Sequence, residues 1–223
     1  MASAEFLNCE GKMDYKMAAE WARAEYEEKR SRFIATVSPV STEEAATEFI
    51  NSIRSEFYDA RHNVFAYIIK DGAVRFSDEG EPQGTGGMPV LEVLKKRGLV
   101  NTAVVVTRYF GGVLLGAPGL VRAYTHAAAA AVEKAGEASM KLCEILNVNC
   151  GYDFYARAEK YLRTCGGYVK DRKFEETVTI SIALPKDKIE QFKNELTELS
   201  GGTVKALSGG DIYINERLLN INH

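Results

Sequence analysis

Arg108-Tyr109-Phe110-Gly111-Gly112 sets one cation and two aromatic rings beside a backbone able to turn sharply. Arginine grips phosphate or carboxylate through a fork of N–H donors, and aromatic rings stack on nucleobases. A second cation, Arg122, follows the break Gly116-Ala117-Pro118-Gly119. Gly111, Gly112, Gly116, Gly119 and Pro118 all fall within a stretch of nine residues. Glycines in that density cost backbone entropy, which suggests that a ligand, a phosphate or a packed neighbour approaches the main chain closely. Arg108 follows an apolar strand, so its guanidinium is expected to emerge at the strand's C-terminal edge. Arg122 is placed in the first turn of the next helix, where a cation opposes the helix dipole unless an anion answers it. Two readings stand side by side: a phosphate grip with Tyr109 or Phe110 free for base stacking, or structural ion pairs to Asp78, Glu79 or Glu81.

A second glycine-rich turn, Gly84-Thr85-Gly86-Gly87, also precedes a helix, with Pro89 near its first turn. Helix N-termini present unpaired N–H groups and partial positive charge, so both turns are candidate anion sites. Neither turn ends in Gly-Lys-Ser/Thr, and Pro89 takes the place of the third glycine of GxGxxG. The plainer reading is that these glycines serve tight turns and close helix–sheet contact. Asp59 and His62 are types that form a general-base pair, and Asp78, Glu79 and Glu81 are types that hold a divalent ion. Both have bland alternatives, a hydrogen-bonded histidine in a strand and a solvated acidic loop. No serine stands in a nucleophile elbow and no HExxH is present. No catalytic residue, metal or cofactor is therefore assigned, and a non-enzymatic role is expected.

The elements that must position these groups read clearly in places. Thr102–Thr107 is β-branched and uncharged, as a strand covered on both faces requires. The spacing predicts further strands at 33–37, 63–70 and 73–76, the last two joined by a tight Asp71-Gly72 turn. The run Glu25 to Arg32 reads as a solvated charged face. Ser41 or Thr42 opens a helix with Ala45, Phe49, Ile50 and Ile53 on one face. Further helices are expected over about 89–96 and about 119–135, with His126 at the surface of the latter. Residues 1–18 are weakly patterned and read as a loose or accessory terminus. Beyond Gly136 the pattern is strand 139–149, helix 153–164, strands 167–173 and 176–184, helix 186–199 and strand 203–216. Gly166-Gly167 and Gly201-Gly202 each part a helix from a strand, as C-caps do. This βαββαβ order is the ferredoxin-like plan. The fold class is α+β, in two domains, 1–137 and 138–223.

The chain has 223 residues, 46% hydrophobic and 26% charged, ordinary values for a globular protein. The net charge is −3. Residues 1–137 carry 16 Lys+Arg against 19 Asp+Glu, and residues 138–223 carry 12 of each. A protein that lives on phosphates is usually basic, so any RNA contact must come from a local patch. No apolar run approaches the roughly 20 residues that span a bilayer, and the start lacks the pattern of a signal peptide. Cys9, Cys143, Cys150 and Cys165 lack CxxC spacing and read as reduced, packed thiols of a cytoplasmic protein.

Val105 to Gly116 resembles the signature of the IMPACT/YigZ family, Ser77-Asp78-Glu79-Gly80-Glu81-Pro82-Gln83-Gly84-Thr85-Gly86-Gly87 resembles a second block, and Asp59-Ala60-Arg61-His62 a third. The resemblance spans about residues 20–135, and the remainder resembles the small C-terminal domain of bacterial members. Ala117-Pro118-Gly119 departs from the family's more usual Thr-Gly-Gly and removes one backbone N–H. The resemblance implies a first domain of the ribosomal-protein-five domain-2-like class, similar to domain IV of elongation factor G, and a second similar to domain V. It also implies translation regulation through RNA, the ribosome or translation factors. A phosphorylated small molecule at the glycine-rich loops and a pure protein-interaction role are the alternatives. No membrane is expected as a partner.

Overall fold

The computed structural model describes residues 14–162 and 164–219. The described residues divide into two compact units, one of Tyr15–Ala138 and one made by 139–219 together with Asp14.

In the first unit β1 (Tyr15–Ala18), β2 (Ala22–Glu28) and β3 (Ser31–Pro39) lead into α1 (Glu43–Glu56). They are followed by β4 (His62–Ile68), β5 (Val74–Ser77), α2 (Gly87–Arg97), β6 (Thr102–Tyr109) and α3 (Gly116–Ala135). The sheet order is β2-β3-β6-β4-β5, with every neighbouring pair antiparallel. Central β6 is buried on both sides: Val104 and Val106 face a core shared with α2 and α3, Ala103 and Val105 face α1. The uncharged run in the sequence has this physical basis. Thr42 caps α1, its hydroxyl accepting from Ala45 N–H at 3.1 Å.

Residues 1–13 of the expected loose terminus lie outside the described residues, whereas Tyr15–Ala18 is a strand. The Lys16 carbonyl accepts from Val100 N–H at 2.9 Å, and Ala18 N–H donates to Thr102 Oγ1 at 3.0 Å. The charged run is also a strand. Ala22, Ala24 and Tyr26 of β2 alternate onto the core, while Glu25 pairs with Arg32 on the outer face. Period-two alternation is present in this run but masked by six charges within eight residues, 25 to 32, along the strand and at its turn, where Lys29 and Arg30 take positive φ.

The second unit runs β7 (Glu137–Cys150), α4 (Tyr152–Leu162), β8 (Tyr168–Phe174), β9 (Val178–Pro185), α5 (Ile189–Ser200), β10 (Ala206–Asn215) and α6 (Glu216–Leu219). The strand order β10-β7-β9-β8 is antiparallel throughout. Phe154, Ala158 and Leu162 of α4 and Ile189, Phe192 and Leu196 of α5 pack on Leu146, Val148, Ile180, Ile182 and Leu184. Gly201 ends α5 in the left-handed conformation, as a C-cap glycine does. Cys143 and Cys150 are buried and Cys165 is partly so, all three as free thiols. Burial pushes the Cys143 thiol up to about 12. Cys9 lies outside the described residues.

Candidate functional site

The acidic loop between β5 and α2 is spoken for from within. Asp78 Oδ2 accepts from Gly84 N–H at 2.8 Å, and its Oδ1 accepts from Gly86 and Gly87 N–H at 2.9 and 2.8 Å. These are the donors at the start of α2 that the sequence offers to an anion, and a carboxylate of the same chain already fills the place. Burial works to raise the Asp78 carboxyl, but the three N–H donors outweigh it and hold it below its ordinary value. Gly87 must be glycine, because a Cβ there would stand 2.7 Å from the Ser77 carbonyl oxygen. Glu79 accepts from Arg54 at 2.9 Å, and Glu81 turns inward.

Glu81 meets Arg108. Strand β6 runs two residues past the expected end, so Arg108 lies within it and its guanidinium does not emerge into solvent. Arg108 Nη1 donates to Glu81 Oε1 at 2.7 Å and Oε2 at 3.0 Å, with side chains only 8% and 3% exposed. Tyr124 of α3 donates its hydroxyl to Glu81 Oε1 at 2.7 Å; burial pushes that hydroxyl far above its ordinary range, and the Glu81 charge adds to it. The guanidinium carbon sits 5.5 Å from the Phe33 ring centroid and 5.8 Å from that of Phe110. Of the two readings of Arg108, the geometry is that of the structural ion pair. It ties the acidic loop to β6 and α3.

Around this pair the strand ends open a cleft of about 670 Å³, lined by Asp59, Arg61, His62, Arg108, Tyr109, Phe110 and Leu114. The sheet register places His62 opposite Arg108. Asp59 and His62 share the cleft but not a hydrogen bond. Asp59 Oδ1 accepts from the Tyr109 hydroxyl at 2.7 Å, and His62 Nδ1 lies 2.9 Å from the Glu79 carbonyl oxygen. A carbonyl only accepts, so in this bond the proton is on Nδ1 and His62 donates. Burial, with the bond to Asp59, pushes the Tyr109 hydroxyl up to about 12. Phe110 is 57% exposed and Leu114 83%.

Phe110 and Leu114 stand on a loop moored at its base. Gly111 N–H donates to Ser31 Oγ at 3.1 Å, and a Cβ on Gly111 would fall 2.0 Å from the Arg30 carbonyl carbon. Gly112 lies at the exposed turn of this loop, and Gly116 begins α3 three residues earlier than the sequence suggests. Arg122 is therefore in the second turn rather than the first, where the opposing dipole has fallen off. It is exposed and makes no hydrogen bond or ion pair among the described residues. The same holds for Arg61. His126, also exposed, stacks on the Tyr26 ring at 5.4 Å. The N-terminus of α3 carries no side-chain cap. Among the described residues no three His, Cys, Asp or Glu side chains gather as a metal site would need. Asp78, Glu79 and Glu81 each face a different partner.

Arg61, Leu114 and Tyr124 belong to this constellation, yet sequence reasoning did not single them out. Arg61 and Leu114 stand inside the quoted motifs and Tyr124 lies beyond them, but only the pairing of β4 with β6 and the packing of α3 bring them together.

The model of the Impact N-terminal domain matches residues 29–132, and that of a domain of unknown function (DUF1949) matches residues 148–203. The chain is 38% identical to the IMPACT family member YvyE of Bacillus subtilis (strain 168), across 87% of this chain and 89% of that protein. It is 33% identical to the IMPACT family member YigZ of Escherichia coli (strain K12), across 81% and 90% respectively. A solved structure described as the crystal structure of an hypothetical protein matches with a TM-score of 0.58 at 32% identity, covering 87% of this chain and 96% of that one.

Proposed function

The chain belongs to the IMPACT family, and from that premise we propose that it is a translation-associated regulator. It works by binding RNA, on the ribosome or with translation factors, and not by catalysis. In this reading residues 1–137 form a ribosomal-protein-five domain-2-like domain akin to domain IV of elongation factor G. Residues 138–223 form a ferredoxin-like domain akin to domain V, and the protein works in the cytoplasm. Among the described residues no helix is long and apolar enough to cross a membrane.

The observation that carries the reading is the cleft: an exposed aromatic ring, Phe110, and a cation, Arg61, that forms no ion pair among the described residues. Stacking surface next to unpaired positive charge is how single-stranded nucleic acid is held without a basic protein overall. Tyr109, Gly111, Gly112 and Gly116 shape that loop. Arg108, Gly84, Gly86 and Gly87 support it from below, through the ion pair and the Asp78 cap.

The test is the binding of fluorescent single-stranded and structured RNA across a salt series, for the wild type and Arg61→Ala/Arg122→Ala. The affinity is expected to fall steeply with salt and to weaken in the double variant. No binding at low salt overturns the reading and moves the function to a protein partner. A phosphorylated small molecule has less support, because it needs a pocket enclosed by 78–87 and 108–119. The cleft takes no wall from 78–87, and Asp78 already occupies the α2 N-terminus.

A further inference from the structure

Cations and N–H donors build a phosphate site. The cleft has something a phosphate site avoids, a carboxylate on its wall. Asp59 is exposed, and among the described residues only its Oδ1 is engaged, by the Tyr109 hydroxyl at 2.7 Å. A carboxylate offers about four lone-pair sites, so both oxygens keep room to accept. That charge repels a bare phosphate, yet it sits within the same cleft as Arg61, His62 and the Phe110 ring. The conflict resolves if the ligand brings a donor edge and a phosphate together.

A nucleotide base does so. Guanine presents two neighbouring donors, N1–H and the exocyclic amine, which match the two oxygens of a carboxylate as a guanidinium does. Cytosine and adenine offer one amine beside an acceptor. Uracil sets its single N–H between two acceptors, which face the carboxylate unfavourably. Enzymes and RNA modules read unstacked bases by this same combination of aromatic face and hydrogen-bonded edge.

We infer that the cleft takes an unpaired guanine of single-stranded RNA, with its face on Phe110, its donor edge on Asp59 and the adjoining phosphate on Arg61. The inference deepens the RNA-binding reading and rests on it. Asp59 is then the residue that chooses the base, and Tyr109 the residue that holds Asp59 in place.

The experiment measures the full chain, at one fixed salt concentration, against fluorescent U-decamers carrying a single central G, A, C or U. The G-bearing strand is expected to bind about tenfold more tightly than all-U, the discrimination of a good paired contact. Asp59→Asn preserves the bond from Tyr109 and removes the paired acceptors, so the preference should collapse while all-U binding persists. Phe110→Ala should weaken all four strands alike, by roughly tenfold. Circular dichroism checks that both variants fold, and Tyr109→Phe serves as a milder probe that should blunt the preference. Equal affinity for the four strands, or a G preference that survives Asp59→Asn, overturns the inference and leaves RNA binding standing. Failure of every strand to bind at low salt overturns both.

Discussion

The turns at 84–87 and 111–119 look alike as sequence, since each is rich in glycine and each opens a helix. They differ in what they meet. The first is closed from inside: Asp78 takes three of its N–H groups, and a Cβ on Gly87 would strike the Ser77 backbone. The second is held only at its base, by Gly111 against the β2–β3 turn. From there it runs outward, with Phe110 and Leu114 in solvent and no cap on α3. A glycine-rich turn before a helix thus advertises an anion site only if the protein has no carboxylate of its own to spend there. The closed turn is a fastening, and the open one is a surface.

The largest effect that would break this contrast comes from Glu81. Glu81→Ala strands Arg108 as a buried charge and leaves the Tyr124 hydroxyl unpaired, so it should cost about 3–5 kcal/mol in urea denaturation. Leu114→Ser should stay within about 0.5 kcal/mol of wild type. A Glu81→Ala protein as stable as wild type would mean that the inner network does not fasten the loop. For the same reason Arg108→Ala is expected to unfold easily, which makes it a poor probe of binding.

The next effect is acid sensitivity. The Asp78 carboxyl is depressed in the fold. Its stabilisation is therefore complete above the unfolded value of about 3.9 and is lost as pH falls through the folded one. Melting temperatures between pH 5 and 2 should drop more steeply for wild type than for Asp78→Asn. Parallel curves would show that the cap carries no net charge preference. Smallest in stability, and most telling for the open turn, is Arg61→Ala/Arg122→Ala. Urea midpoints should not move, while the salt slope of RNA binding should shrink by about one for each lost phosphate contact.

Much of the frame was legible. The apolar run 102–107, the α1 cap and the two Gly-Gly joints of the second unit announce themselves because each signal is local. Strand β2 was hidden because its outward charges outweighed the inward alternation of Ala22, Ala24 and Tyr26. The partner of Arg108 was hidden for a different reason. Glu81 lies 27 residues upstream, in a loop whose path depends on the Asp78 cap. An acid eight and nine residues ahead of the N–H groups it satisfies matches no short capping pattern. The cleft needs His62 opposite Arg108, a matter of sheet register that no window of sequence contains.

The position of β6 carries one more consequence. It lies at the centre of its sheet, between β3 and β4, yet it is the last of those five strands to leave the ribosome. Until residue 109 is available, the edges of β3 and β4 that β6 will cover keep their backbone donors and acceptors unpaired. Closing them joins strands separated by about 70 residues in one step, the kind of long-range pairing that makes folding slow. The cleft is therefore finished only when that step is finished, and a nascent chain cut short of β6 exposes two adhesive edges in place of a binding site.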